Sequence, residues 1–340
     1  MIPATKPPKR RDEAKMLIVH AKEGSIRDAL VVDLPDALRP GDLLIVNDAA
    51  TLPASLFAKT PSGAPLEIRL LQHAGGSDWK ATLLGAGDWR TPTELRNPPE
   101  RVETGSILCI AEGFTAEVID IAPDSERLGT IRFSRQGVDM WTGIYAYGRP
   151  IQYAYLKSDL ALWSVQTAYA SRPWAIEMPS AGRPLSWQIL LELKRRNVRI
   201  AWLTHAAGIS SIGDQNLDAR LPFPEAFEIP QPTINAIAET QVRGGRIIAV
   251  GTTVVRALEG CAAQNNGTLL GGIRKTDLVI RRGFRPSVVN GLLTGLHDPT
   301  ETHFQLLEAF ADEMTLRTVW RHATSAGYLC HEFGDVCLIV

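Results

Sequence analysis

Between residues 54 and 150, clusters of turn residues recur every 8 to 15 positions or so, and no convincing amphipathic helix interrupts them. Pro-Ser-Gly begins at 61, Ala-Gly-Gly-Ser-Asp at 74, Gly-Ala-Gly-Asp at 85, Glu-Thr-Gly at 103, Ala-Glu-Gly at 111 and Ala-Pro-Asp-Ser at 122. Glycine supplies positive φ, proline pre-sets φ, and Asp or Ser bond back to the chain, so such clusters reverse it. Between them lie short runs: LEIRLL, SILCIA, AEVIDI and TIRFS. The last two alternate apolar and polar residues with the period of a half-buried strand. This stretch is expected to fold as an antiparallel barrel or sandwich of about 90 residues.

The flanks read differently. LIVHA (17–21) and ALVVDL (29–34) are short apolar runs, and Pro40-Gly41 turns the chain into the strand DLLIV (42–46). After about 151 helices and strands alternate. SWQILLELKRRN (186–197) opens with a Ser suited to cap a helix and is expected to share Trp187, Leu190 and Leu191 on one face. It leads into the strand VRIAWLTH (198–205). A helix over 233–243 stops at Gly244-Gly245, and the strand RIIAV (246–250) precedes a second helix, VVRALEGCA (254–262). Phe304, Leu307, Ala311 and Met314 predict an amphipathic helix over 302–314, and a strand is expected to close the chain. Alternation of this kind predicts an α/β layer with a parallel or mixed sheet.

Composition excludes several classes. With 340 residues, 45% hydrophobic and 21% charged, the chain is no disordered, collagen-like or coiled-coil protein. Thirty-six basic against 37 acidic residues give a net charge of −1, which excludes nucleic-acid binding by bulk charge and leaves only local patches. Cys109, Cys261, Cys330 and Cys337 form no C-x-x-C pair, so neither a disulfide framework nor a zinc ribbon is expected. There is no run of 18 apolar residues and no secretory signal, so the expectation is a soluble cytoplasmic protein without a membrane span.

The most informative local segment is RIIAVGTTVVRALEG (246–260). A strand, the loop Gly251-Thr252-Thr253 and a helix make an anion-binding geometry, with free N–H groups, two hydroxyls and Arg256 one turn in. The same residues also read as a capped helix behind a core strand. They carry neither a dinucleotide fingerprint nor a Walker loop. His205 ends a predicted strand, where ligands collect in α/β folds, or is a satisfied structural histidine. His297, Glu301 and His303 match no zinc spacing, and no metal is expected. Lys9-Arg10-Arg11, Lys194-Arg195-Arg196 and Arg281-Arg282 read singly as solvated surface that would permit RNA contact. Trp163, Trp174, Trp187 and Trp202 crowd into 40 residues; most are expected in the core, with one available to stack on a purine.

Taken together, LPDALRPGDLLIVND (34–48), SVQTAYA (164–170), IIAVGTTVVRALE (247–259), VVNGLLTGLH (288–297) and FGDVCLIV (333–340) resemble the S-adenosylmethionine:tRNA ribosyltransferase-isomerase family of queuosine biosynthesis. The likeness runs from about Leu17 to Val340. It implies an α/β domain, residues 1–53 and 151–340, with a β-barrel domain, residues 54–150, inserted in it. It also implies that S-adenosylmethionine is a ribosyl donor and that the ribosyl part passes to the aminomethyl group of a 7-deazaguanine in tRNA. The sugar becomes an epoxycyclopentane, and adenine and methionine leave, with no metal required. Such chemistry needs a base near C5′, whose protons the sulfonium acidifies, and donors for the departing adenine.

Carried onto this chain, the resemblance implies His205, Glu225 and His297 as catalytic residues. Asp48, Gln166, Tyr169, Gly251, Thr252, Thr253 and Arg256 would bind substrate. His205 would be the base or the adenine donor, and Glu225 its orienter or a ribose ligand. Thr252, Thr253 and Arg256 would hold the methionine carboxylate or a phosphate, and Gln166 and Tyr169 would read a base edge. The chain also departs from the family. Ala50 and Ser55 stand at arginine positions, and MPSAGRPL (178–185) replaces Ala-Pro-Thr-Ala-Gly-Leu-His-Phe, which puts Pro184 at a histidine. Leu221 and Phe223 replace polar groups in RLPFPE (220–225), LTHAA (203–207) lacks a glycine, and Thr300 takes the place of a lysine. Cations and imidazoles are thus pruned. At this point two other readings stand beside tRNA modification: the same donor with a small free acceptor, and a non-catalytic nucleoside- or RNA-binding protein.

Overall fold

The computed structural model describes residues 1–340 apart from Arg101, Ser210, Ala219, Arg220, Pro222, Thr300 and Glu301. Two of these, Thr300 and Glu301, were singled out above, and with Arg220 they lie outside the described residues.

A nine-stranded sheet forms the larger part. Its spatial order is Gly272–Thr276, Glu225–Ile229, Arg199–His205, Leu43–Asn47, Ile247–Val250, Gly291–Gly295, Val336–Ile339, Lys15–His20 and Ser25–Leu30. The four strands from Arg199–His205 to Gly291–Gly295 run parallel, and antiparallel strands flank them. Every residue of Leu43–Asn47 and of Ile247–Val250 is buried, as in a sheet covered on both faces. Alternation sorts these residues between two cores. Leu43, Ile45, Ile247 and Ala249 meet the helices Gln231–Val242, Thr252–Gln264 and Glu313–Ser325 on one side. Leu44, Val46, Ile248 and Val250 meet Trp187–Arg195 on the other.

Inserted in this α/β layer is a closed antiparallel barrel. Its strands follow the order Ser55–Lys59, Pro65–Gly75, Asp78–Leu84, Leu128–Phe133, Phe114–Ile121 and Ile107–Ala111, and the Lys59–Cys109 pairing returns to the start. Closure leaves no free sheet edge. The interior packs Leu56, Ile68, Trp79, Leu83, Phe114, Val118 and Phe133. The alternate positions Ser55, Glu67 and Arg69 point outward and are buried there together with Arg96. Ser55 Oγ donates to Glu67 Oε1 at 2.7 Å, Arg69 Nε to the same oxygen at 2.8 Å, and Arg96 Nη1 to Oε2 at 2.6 Å. Burial alone would raise the Glu67 carboxyl, but these cations and donors hold it below its ordinary value.

Four local expectations differ from the structure. A helix, Gly137–Tyr147, does occur within 54–150; Met140, Gly143 and Ile144 bury its inner face, and glycines mask the period in the sequence. The run ALVVDL does not continue as a strand, because a 3-10 turn over Val31–Asp33 and a short helix, Leu34–Ala37, follow Leu30. In Trp187–Arg195 the buried residues are Ile189, Leu190 and Leu193, while Trp187 and Leu191 are exposed. The helix expected over 302–314 is divided into Thr302–Leu307 and Glu313–Ser325. Asp312 causes the break: its Oδ1 accepts the Thr315 N–H at 2.9 Å and starts a new helix, leaving Met314 exposed.

Candidate functional site

The carboxyl ends of the parallel strands bring the predicted residues to one edge of the sheet. Arg199–His205 ends in His205, Leu43–Asn47 leads into Asp48, and Ile247–Val250 leads into Gly251. Loops leave the sheet here, so open α/β folds bind ligands at this edge.

Gly251 turns the chain from strand to helix. Its φ of +89° is a conformation other residues rarely adopt, and its N–H is held by the Leu293 carbonyl at 2.8 Å. The helix Thr252–Gln264 has no side-chain cap bond at its start. Its first N–H groups and the Thr252 and Thr253 hydroxyls therefore meet the crevice at the positive end of the helix dipole.

Asn47 ties this loop to the His205 strand. Its Oδ1 accepts the His205 N–H at 2.9 Å and the Ala49 N–H at 3.1 Å. Its Nδ2 donates to the His205 carbonyl at 3.0 Å and to Thr253 Oγ1 at 3.3 Å. All four hydrogen-bonding positions of the amide are spent. Thr253 accepts from Asn47, which leaves its own proton available to a ligand.

His205 is fully buried, and neither ring nitrogen has an aligned hydrogen bond. Glu225 Oε2 lies 3.3 Å from Nε2. Burial lowers the His205 pKa to about 4; Glu225 opposes the shift and Arg256 adds to it. The imidazole is therefore neutral at neutral pH, the form that can take a proton. Glu225, from the adjacent strand Glu225–Ile229, accepts the Gly208 N–H on Oε1 at 2.8 Å and a bond from Arg256 Nη1 on Oε2. Arg256 Nε goes to the Leu278 carbonyl at 3.1 Å, and its Nη2 is buried without a partner.

Asp48 accepts the Thr204 hydroxyl at 2.6 Å, and burial raises its pKa. Gln166 spends its side chain on the backbone: Oε1 accepts the Thr51 N–H at 2.9 Å and Nε2 donates to the Thr51 carbonyl at 2.8 Å. Tyr169 has a buried hydroxyl without a partner, packed so closely on Gly182 that a Cβ there would lie 2.0 Å away. His297 is separate. It follows the strand Gly291–Gly295, three strands from His205 and so roughly 14 Å across the sheet. There it bonds Thr294 Oγ1 at 3.1 Å and stacks on His303.

A cleft of about 560 Å³ separates this edge from the barrel, bordered by Trp79, Trp141, Trp174, Phe223, Glu225 and Lys275. Pockets of this size take nucleoside-scale ligands. Trp174 lines the cleft with Arg172 over its ring, and Arg172 also binds Glu228, whereas Trp163, Trp187 and Trp202 are exposed elsewhere. Leu221 and Phe223 make one wall apolar. Among the described residues no group of three His, Cys, Asp or Glu side chains is placed to hold a metal, and no helix is long and apolar enough to cross a membrane. Two residues of the neighbourhood were not singled out from sequence: Asn47, although it lies in the LLIVND segment, and Arg183, in MPSAGRPL.

Known proteins resemble this arrangement along its full length. The family described as queuosine biosynthesis protein matches residues 1–339. An S-adenosylmethionine:tRNA ribosyltransferase-isomerase of Sorangium cellulosum is 34% identical over 360 residues, covering 99% of this chain and 94% of the relative. One of Gloeobacter violaceus is 32% identical, covering 99% and 92%. The crystal structure of the S-adenosylmethionine tRNA ribosyltransferase of Thermotoga maritima superposes with a TM-score of 0.55 at 26% identity, covering 100% of this chain and 96% of that one. This chain therefore belongs to the family of queuosine biosynthesis proteins.

Proposed function

We propose that this chain is an enzyme that transfers and isomerises the ribosyl part of S-adenosylmethionine. The acceptor is the aminomethyl group of a 7-aminomethyl-7-deazaguanine in tRNA, the product is epoxyqueuosine, and adenine and methionine are released. Full-length family membership, joined to a cleft between the sheet edge and the barrel that Ala206, Gly208 and Glu225 line, carries this reading. A cytoplasmic enzyme divided into 1–53 with 151–340 and an inserted 54–150 fits this role.

The geometry supports the following roles. His205, held neutral by burial, takes the C5′ proton that the sulfonium acidifies. Glu225 stands against it, paired with Arg256, and stabilises the imidazolium as it forms. Thr252, Thr253 and the free N–H groups of their helix meet an anionic group of the donor. Asp48 and Tyr169 border the same region, and Tyr169 keeps an unspent O–H for a substrate oxygen. Gln166 supports the loop around Thr51 through the backbone. His297 lies too far along the sheet edge to share a proton with His205 directly. The cleft has room for a donor and a base together, and its aromatic rings give the base a surface to stack on. No observation favours a small free acceptor.

The test is to incubate the protein with S-adenosylmethionine and tRNA bearing the aminomethyl deazaguanine, then digest the tRNA and weigh its nucleosides. A ribosyl-derived mass on the deazaguanosine is expected. An unaltered nucleoside, with the donor bound, would overturn the tRNA reading.

A further inference from the structure

Most basic clusters of this chain are neutralised locally. Arg10 pairs with Asp12 at 3.3 Å, Arg195 and Arg196 pair with Glu192, and Arg282 pairs with Glu313 at 3.1 Å. The arginine at 183 is different. It is only 5% exposed, yet among the described residues no carboxylate forms an ion pair with it. Its Nε donates to the Ser164 carbonyl at 3.0 Å and its guanidinium lies 4.8 Å from the centre of the Phe333 ring. Nη1 and Nη2 make no hydrogen bond to any described residue.

A second guanidinium is held beside it. Arg11 Nη1 donates to the Gln166 carbonyl at 2.6 Å, and Arg11 likewise has no carboxylate partner among the described residues. The two anchoring carbonyls are two residues apart, so their backbone separation is at most about 7 Å. Burial, and then the Arg11 charge, pull the Arg183 pKa down to about 10. Burial and then the Asp48 carboxylate push the Tyr169 hydroxyl up and Arg11 opposes them; that buried hydroxyl has no partner. Two guanidiniums without a carboxylate partner and an unspent O–H donor thus sit along one short stretch of chain, residues 164–169. Leaving a buried cation unpaired is costly, and the arginine fork matches the two oxygens of a carboxylate or phosphate.

We infer that Arg183 and Arg11, with the Tyr169 hydroxyl, form a binding site for a substrate oxyanion, either a carboxylate or a phosphate. The site adjoins the donor crevice: a Cβ placed on Gly251 would lie 3.7 Å from Ala181, two residues before Arg183. The family resemblance has leucine at position 183, so this cation is a feature of the present chain. It supplies positive charge next to Pro184, which stands at a histidine position of the family. Only the source of the oxyanion, donor carboxylate or tRNA phosphate, rests on the proposed activity.

The experiment compares wild type with Arg183→Leu, which keeps an apolar contact on Phe333 and removes an uncompensated charge. Inorganic phosphate is titrated first, in an otherwise anion-poor buffer, while the thermal midpoint is followed. Wild type is expected to rise with phosphate as the folded state binds it, and Arg183→Leu to lose that response. Arg11→Gln, which leaves the Phe333 contact untouched, is expected to lose it too. Calorimetry then measures both substrates. A loss of about tenfold or more in S-adenosylmethionine affinity alone assigns the site to the donor carboxylate, and the same loss for tRNA alone assigns it to a phosphate; either supports the site. Equal phosphate responses in all three proteins, with both affinities unchanged, would overturn it. A phosphate response confined to wild type, in a protein that binds neither substrate, would uphold the oxyanion site and sink the proposed activity instead.

Discussion

Arg256 donates from Nη1 to Oε2 of Glu225, and both side chains are about nine-tenths buried. The arginine that the sequence offers to a ligand is therefore largely spent inside the protein, leaving only Nη2 unpartnered. Its clearest contact is with the carboxylate: it pairs with Glu225 beside a neutral His205.

Breaking a buried pair from one side leaves an uncompensated charge. Arg256→Met is expected to cost about 3–5 kcal/mol in urea unfolding, and adding Glu225→Leu should recover a large part of that loss. Turnover should stay abolished in both. Additive losses in the double variant would show that the two residues stabilise the fold independently.

His205 gives the protein a pH dependence of known sign. Its pKa is depressed from 6.5 to about 4 by burial, so the folded state binds the proton less readily than the unfolded state. The stability it contributes is full above pH 6.5 and is lost as pH falls through 4. Relative to His205→Asn, wild type should lose about 3 kcal/mol between pH 7 and pH 4. Subtracting the variant's curve removes the carboxylates common to both proteins. Parallel curves would mean that His205 is solvated in solution.

Gly182 and Tyr169 make a third case. A methyl group at 182 would meet Tyr169 Oη at 2.0 Å. Gly182→Ala should destabilise by about 1–3 kcal/mol, and Tyr169→Phe in the same chain should recover part of it by removing the oxygen. Thermal unfolding of the single and double variants checks this, and no recovery would place the strain elsewhere.

Much of the site was legible because its signals are local. A strand, a glycine that must adopt positive φ and a helix occupy adjacent positions from Ile247 to Gln264, so the loop could be read directly. The barrel was legible for a similar reason: hairpins announce themselves through their turns. What was missed depends on distant partners. Asn47 looks like the end of a strand, and its role emerges only because His205 and Thr253 lie 158 and 206 positions away. Arg183 reads as an ordinary surface cation until folding buries it on Phe333. The expected helix over 302–314 failed because the Asp312 cap competes with a continuous apolar period. The inward face of Trp187–Arg195 was misassigned by one turn position, because Trp187 and Leu191 are apolar yet exposed.

The central claim is ribosyl transfer, and the balance of products tests it most directly. Wild-type protein, S-adenosylmethionine and aminomethyl-deazaguanine tRNA are incubated, and adenine and methionine are quantified against time. The account predicts that both appear in equal amounts, that neither forms without the modified tRNA, and that His205→Asn forms neither. Formation of S-adenosylhomocysteine in their place, or adenine release that ignores the tRNA, would contradict it.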